Sequence, residues 1–206
     1  MMRFLALTTI ATAIGLACTP TESHAGDPST QAAKQPAKPD GPREVAILGA
    51  GCFWGVEHWM NKASGIVDIE VGYAGGKSSK TTYAEVSSGK TGHAEVVRIV
   101  FDPSVISYDD LLAKWFFRIH DPTTRNQQGN DIGTQYRSAI FPTTEHQKQV
   151  AEQVLARVER SGKWKKPITT TIEPNPIFVR AEDYHQDYLV KHPGGYDNHF
   201  LRDFTF

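Results

Sequence analysis

The junction between an apolar segment and a helical pattern near residue 50 constrains the fold most strongly. Residues Glu44–Gly49 are mostly apolar and predict a buried strand, whereas Trp54–Lys62 shows the apolar spacing of a helix. The two are joined by Gly51-Cys52-Phe53-Trp54-Gly55, whose glycines allow a tight turn. Such a junction begins a strand–helix–strand unit and favours a sheet covered by helices.

The rest of the chain continues this alternation. Further strands are predicted at Ile66–Tyr73, His93–Phe101, Gln135–Phe141 and Thr169–Glu173, and further helices after Ser107, from Thr144 to Arg160 and at Ala181–Lys191. Ser107 is a predicted N-cap, and Thr144 with Gln147 has the spacing of a capping box. This order predicts an α+β two-layer sandwich with a ferredoxin-like mixed sheet, helices on one side and an irregular C-terminal tail. A doubly wound parallel sheet is disfavoured because the helices are too few.

The N-terminus is predicted to be a targeting segment. An uncharged apolar run follows Arg3 and ends at Ala17, too short to span a bilayer but typical of a signal peptide. Two processing sites remain open: cleavage after Ala25, with residues 1–25 as signal peptide, or cleavage before Cys18, with residues 1–17 removed and a lipid anchor on Cys18. Retention of the segment in a cytosolic protein is a less favoured third possibility. Either export route predicts the periplasm or cell envelope and removes Cys18 as a free thiol.

Residues 26–42 are predicted to be a disordered linker, because they contain four prolines and no aromatic or branched apolar residue. Residues 43–206 then form one catalytic domain of ordinary size. The net charge of −1, without a basic block, argues against a nucleic-acid partner. The histidines have no spacing typical of a metal site.

Cys52 is the candidate nucleophile. At the start of a helix, unpaired N–H groups and the helix dipole favour the thiolate, which is the reactive form. Phe53 and Trp54 suggest an apolar pocket for a small apolar group. The alternative, a small buried hydrophobic residue, predicts aliphatic neighbours rather than aromatic residues and glycines.

Four further stretches combine polar and aromatic residues: Tyr83–Glu95, Gly129–Ser138, Asp183–Tyr188 and His192–Tyr196. Together with the Cys52 pentapeptide they resemble the A-type peptide-methionine sulfoxide reductases over about Arg43 to Tyr196. The resemblance implies reduction of the S epimer of methionine sulfoxide, free and in proteins, without a metal or organic cofactor. It also implies an external thiol reductant such as thioredoxin or a related donor.

The resemblance further implies the catalytic pair. Cys52 attacks the sulfoxide sulfur, and Glu95 protonates the oxygen from the other side of the S–O bond. A carboxyl that donates a proton needs a raised pKa, which burial among aromatic residues favours. Attack releases methionine and leaves Cys52 as a sulfenic acid. Without the motif, a carboxylate at a strand edge paired to a lysine would be the favoured interpretation of Glu95.

The other implied site residues surround this pair. Tyr83 and Tyr136 match hydroxyl donors to the sulfoxide oxygen, Phe53 and Trp54 match the walls around the substrate methyl, and Asp131 matches a residue that helps to hold Cys52 and the hydroxyl network. Each has a structural alternative: the tyrosines could be packing residues, and Asp131 could form a turn.

One position departs from the family pattern. Many members carry a resolving cysteine directly after Gly-Tyr in the tail, but here Gly195-Tyr196 is followed by Asp197. We therefore predict a single-cysteine enzyme whose sulfenic acid is reduced by an external thiol protein. The expected partners are oxidised proteins and free methionine sulfoxide, and we expect a monomer.

Two other functions remain open at this stage. A cysteine hydrolase or transferase could use His185 to activate Cys52, but this leaves Glu95 and the tyrosines without a role. For His185 a structural role is favoured. A non-catalytic domain that binds oxidised methionine is the second alternative.

Overall fold

A computed structural model describes residues 41–174 and 177–206 of the chain. The predicted signal peptide, Cys18 and all of the predicted linker except Gly41 and Pro42 lie outside the described residues. The strands are β1 (Glu44–Ala50), β2 (Ile66–Ala74), β3 (Ala94–Phe101), β4 (Gln127–Gln128), β5 (Asp131–Ile132), β6 (Ser138–Phe141), β7 (Thr171–Ile172) and β8 (Val179–Arg180). The helices are α1 (Phe53–Met60), α2 (Tyr83–Ser87), α3 (Tyr108–Asp110), α4 (Phe117–Ile119), α5 (Glu145–Arg160) and α6 (Tyr188–Lys191). A π-helical turn over Leu111–Phe116 joins α3 to α4, and none of the described helices is long and apolar enough to span a membrane.

Six strands form one sheet in the order β7-β6-β1-β3-β2-β8, and β4 pairs with β5 apart from it. The four central strands are antiparallel neighbours, and together with α1 and the α3–α4 helical stretch they have the ferredoxin-like β-α-β-β-α-β order. Because β7 joins β6 in parallel, the sheet is mixed. The predicted α+β fold is confirmed.

The main hydrophobic core lies on the sheet face that carries the helices. Leu48 of β1 and Val97 of β3 share one buried cluster with Met60 of α1, Phe116 of the π-turn and Val154 of α5. A smaller cluster, to which Ile47, Val96 and Phe141 belong, is built from alternate sheet residues and is covered by Val45 and Phe178. The strand alternation thus divides the apolar side chains between the two faces.

Two predicted caps are present. The Ser107 hydroxyl accepts a hydrogen bond from the N–H of Asp110 at 3.0 Å, and the Thr144 hydroxyl accepts one from Gln147 at 3.1 Å. The Gln147 amide does not complete a capping box, because its oxygen accepts from Thr143 N–H at 3.1 Å instead. A complete capping box occurs at α2, a helix that the sequence analysis did not predict.

Two predicted elements need correction. The helix predicted over Ala181–Lys191 is helical only in α6, because Asp187 adopts a left-handed backbone with φ of +52°. Before it, the Gln186 side chain accepts from Val71 N–H at 2.9 Å and donates to Val71 C=O at 3.0 Å, which holds the segment as turns. The strand predicted from Gln135 begins only at Ser138, because residues 134–136 form a 3₁₀ turn.

Candidate active site

Cys52 is positioned by the end of β1 and the start of α1. It occupies the N-cap position of α1, and its side chain makes no capping hydrogen bond. Gly51 before it adopts φ of +98°, which turns the chain from strand to helix. The residue is only 9% exposed, and the partly buried surroundings of its thiol are called the recess.

Burial opposes the thiolate form of Cys52 that the start of the helix favours. Burial and the nearby charge of Glu95 raise the pKa of the thiol well above its ordinary value. The N–H groups of Trp54 and Gly55 lower this pKa, as the helix start predicts, but they offset only part of the rise. The thiol is therefore protonated at neutral pH, because desolvation outweighs the stabilisation of the thiolate that the helix start was predicted to give.

Glu95 lies on β3 beside Cys52. Its side chain is 2% exposed and accepts a hydrogen bond from the N–H of Phe53 at 3.1 Å. Burial raises the pKa of Glu95 to about 8, with Asp131 adding to the rise and the Phe53 N–H opposing it. At neutral pH the carboxyl therefore carries a proton that it can donate, in agreement with the raised pKa expected from the sequence.

Tyr83 and Tyr136 converge on the same recess. Both are half-buried, burial raises the pKa of each phenol, and the charges of Glu95 and Cys52 contribute to both shifts. Asp131 also contributes to the shift of Tyr136. The structure thus brings together all five predicted catalytic residues, which come from β3, β5, α2, the start of α1 and the 3₁₀ turn.

An aromatic wall adjoins the recess. The ring centroid of Phe53 lies 5.0 Å from that of His185, and the Trp54 indole stacks on Tyr188 at 3.7 Å. The Trp54 Nε1–H donates to His185 Nδ1 at 3.1 Å, so His185 is held as a neutral tautomer by an indole rather than paired with Cys52. This arrangement fits the favoured structural role of His185 and gives no support to a cysteine–histidine hydrolase.

The C-terminal tail completes the site; sequence reasoning singled out His192–Tyr196 but assigned no role to Tyr196, Asn198 or His199. Asp131 accepts hydrogen bonds from Tyr196 Oη at 3.2 Å and from Asn198 Nδ2 at 2.8 Å. His199 Nε2 contacts the carbonyl of Ala50 at 2.7 Å, two residues before Cys52. The tail has no helical or strand period, so no pattern in the sequence signals these contacts.

Asp197, at the position of the family's resolving cysteine, is turned toward α1. Its carboxylate accepts from Trp59 Nε1 at 3.2 Å and from the N–H of His199 at 2.8 Å. A side chain on Gly55 would overlap Asp197 and His199, so the tail lies directly against the helix. Cys52 is the one cysteine within residues 41–174 and 177–206, and it is unpaired. The same residues contain no cluster of three or more potential metal ligands.

Comparison with known proteins gives one consistent result. Residues 44–204 match the family model described as peptide methionine sulfoxide reductase. The peptide methionine sulfoxide reductase MsrA of Granulibacter bethesdensis is 51% identical over 150 residues, which cover 73% of this chain and 80% of the relative. The crystal structure of reduced Mxr1 from Saccharomyces cerevisiae matches with a TM-score of 0.71 and 43% identity, covering 81% of this chain and 96% of that one. Mxr1 in complex with Trx2 matches with a TM-score of 0.51 and 30% identity, covering 81% and 94%.

Proposed function

The chain belongs to the peptide methionine sulfoxide reductase family, and from this membership we propose that Cys52 and Glu95 carry out the family's reaction on the S epimer. The enzyme is an oxidoreductase that reduces methionine sulfoxide to methionine with electrons from a thiol. The observation that carries the assignment is the buried, protonated Glu95 beside the Cys52 thiol, with Phe53 N–H linking the two segments.

In the proposed step, the Cys52 sulfur attacks the sulfoxide sulfur while Glu95 gives its proton to the oxygen. The new bond between the two sulfur atoms then breaks as the protonated oxygen moves from the substrate sulfur to Cys52, so the substrate loses its S–O bond, methionine is released and Cys52 ends as a sulfenic acid. The thiol proton returns to Glu95, so no net proton is consumed. The thiol sulfur is oxidised and the substrate sulfur is reduced to the sulfide of methionine. The high resting pKa of Cys52 means that the thiol loses its proton only as the attack proceeds.

We assign the surrounding residues to substrate binding. Tyr83 and Tyr136 donate hydrogen bonds to the sulfoxide oxygen, and Phe53 and Trp54 enclose the methyl group. Asp131 holds the hydroxyl network through its contacts to the tail. The roles of Tyr83, Tyr136 and Asp131 are supported by their convergence on Cys52 and Glu95. Those of Phe53 and Trp54 are supported by the aromatic wall that they form.

The first test is stereochemical. The enzyme with dithiothreitol is expected to reduce the S epimer and to leave the R epimer nearly untouched, because thiol and acid occupy fixed sides of a chiral sulfur. Turnover of each epimer, measured by chromatography with Cys52→Ser as the blank, checks this. Equal rates on the two epimers would exclude the proposed geometry, and no turnover of either would exclude catalysis.

The second test concerns the missing resolving thiol. We propose that a thioredoxin-type thiol protein, of the kind present in the Mxr1–Trx2 complex, reduces the Cys52 sulfenic acid directly. One equivalent of sulfoxide without reductant is expected to add a single oxygen to the protein, trapped by a sulfenic-acid probe and visible by mass spectrometry. An intramolecular disulfide in the same experiment would contradict a single-cysteine mechanism.

We also propose that the chain is exported to the periplasm or cell envelope as a monomer. The support for export is the N-terminal sequence alone, with its basic residue, apolar run and the two open processing sites at Ala25 and Cys18. The intact mass of the protein from fractionated cells decides between them: a free N-terminus at Gly26 or a lipid-modified Cys18. Protein of full length in the cytosol, or a Cys18–Cys52 disulfide, would contradict export as proposed.

A further inference from the structure

Arg137 lies directly after Tyr136, and all three nitrogens of its guanidinium donate hydrogen bonds. Nε and Nη2 donate to the two carboxylate oxygens of Glu173 at 2.8 and 2.9 Å. Nη1 donates to the carbonyl of Thr134 at 3.0 Å, and Nη2 also donates to the carbonyl of Gly92 at 3.2 Å. The fork with Glu173 neutralises the guanidinium and fixes its plane, so the contacts to the two carbonyls are directional.

These two carbonyls belong to segments that deliver catalytic side chains. Thr134 opens the 3₁₀ turn that contains Tyr136. Gly92 is three residues before Glu95 and directly precedes the approach to β3. One guanidinium therefore bonds simultaneously to the segments that carry the proposed acid and one proposed hydroxyl donor.

A third segment packs on the same group. Gly75 has φ of +82°, and a side-chain Cβ there would lie 2.6 Å from Arg137 Nη2. The next residue, Gly76, lies against the ring of His93, which also contacts the carbonyl of Ser78 at 3.0 Å. This loop leads to α2 and thus to Tyr83. Three loops that lead to the recess therefore contact Arg137, two through hydrogen bonds to the carbonyls of Thr134 and Gly92 and one through the close approach of Gly75.

We propose that Arg137 is a positioning residue that sets the spacing of Glu95, Tyr136 and Tyr83 by bridging their three loops. The inference rests on the proposed function. In that function the sulfoxide oxygen must meet one acid and two hydroxyls at once, and a displacement of about 1 Å can reduce a rate by about 10²-fold. Lysine cannot replace arginine in this role, because an ammonium group is a compact charge and not a planar fork.

The test is Arg137→Lys, which retains the charge opposite Glu173. We expect a folded protein whose single-turnover rate of Cys52 oxidation falls by about 10- to 100-fold, with the substrate KM changed by only a few-fold. The pH midpoint of that rate is expected to move below the wild-type value, because a loosened loop admits water to Glu95 and relieves its desolvation. A loss of stability alone would not move that midpoint.

The matched control is Arg157→Lys. Arg157 forms a similar fork with Asp109, at 3.0 and 2.6 Å, between α5 and α3 and away from the recess. We expect Arg157→Lys to oxidise Cys52 with the single-turnover rate and the pH midpoint of the wild type. If Arg137→Lys also keeps the wild-type rate and midpoint, or if both variants lose rate equally, Arg137 has no positioning role.

A second variant keeps the inference testable if Arg137→Lys does not fold. Glu173→Gln leaves both carbonyl contacts of Arg137 available but weakens the fork, so we expect a smaller loss of rate, within about 10-fold, and a shift of the midpoint in the same direction. An unchanged rate and midpoint in Glu173→Gln would overturn the inference. Wild-type enzyme is assayed in parallel: if it fails to reduce the sulfoxide, the proposed function itself is wrong.

Discussion

Glu95→Gln is expected to slow the oxidation of Cys52 by methionine sulfoxide by about 10²–10⁴-fold, the usual contribution of a positioned general acid. Glutamine keeps the size of the side chain and can still accept from Phe53 N–H, so the fold and substrate binding should change little. Single-turnover measurements in the absence of reductant isolate this step. Rates within a few-fold of wild type would instead identify Tyr83 or Tyr136 as the proton donor.

The wild-type pH profile gives an independent check on the same residue. Because the pKa of Glu95 is raised to about 8, the acid is protonated below that pH and loses its proton as the pH rises through it. The single-turnover rate should therefore fall above about pH 8, and this inflection should vanish in Glu95→Gln. Glu57→Gln is the matched control, since Glu57 is a second buried carboxyl, with a pKa raised to about 7, that contacts the turn at Asp187. It should keep both the rate and the inflection.

Gly51→Ala is expected to lower the free energy of unfolding by about 2–5 kcal/mol. The left-handed backbone at φ of +98° costs about 1–2 kcal/mol for a residue with a Cβ. That Cβ would also lie 2.5 Å from Cγ of Gln128, a buried side chain that accepts from Asp121 N–H at 2.9 Å, and such overpacking costs about 1–3 kcal/mol. Urea unfolding measures the sum.

Gly162→Ala separates the two contributions. Gly162 also has a left-handed backbone, at φ of +62°, but a Cβ there meets nothing within 4 Å. It should cost only the backbone penalty of about 1–2 kcal/mol. Equal losses of unfolding free energy in the two variants would mean that the Gln128 side chain moves aside without cost. The close approach of Gln128 to Gly51 would then not limit the residue type at position 51.

Much of the fold could be predicted because its strands and helices carry strong local periods. The strands Glu44–Gly49 and Ile66–Tyr73 were placed to within a residue or so of β1 and β2. The conformation of the segment before α6 could not be predicted. It is set by the Gln186 side chain and the left-handed backbone of Asp187 rather than by local propensity. Tertiary hydrogen bonds overrode a helical pattern there.

The site divides in the same way. Cys52 and Glu95 stand in short motifs and could be predicted, and the burial that raises the pKa of Glu95 follows from its apolar neighbours. The net rise in the pKa of Cys52 could not be predicted, since it depends first on how deeply the thiol is buried and then on how closely Glu95 approaches it in space. The positioning role of Arg137 was also missed, because its contacts to the carbonyls of Thr134 and Gly92 leave no trace in residue type or spacing.

The edge strands of the sheet affect how this enzyme interacts with other polypeptides. Both outer strands, β7 and β8, are only two residues long, and beyond β8 the Gln186 amide occupies the N–H and C=O of Val71. The exposed part of β2 carries a register shift between Ile66 and Asp68, and Glu70 is paired with Arg180 at 3.0 Å. Short, irregular and charged edges of this kind resist strand-to-strand addition of foreign chains. We therefore expect this sheet not to add a strand from a polypeptide that binds at the site.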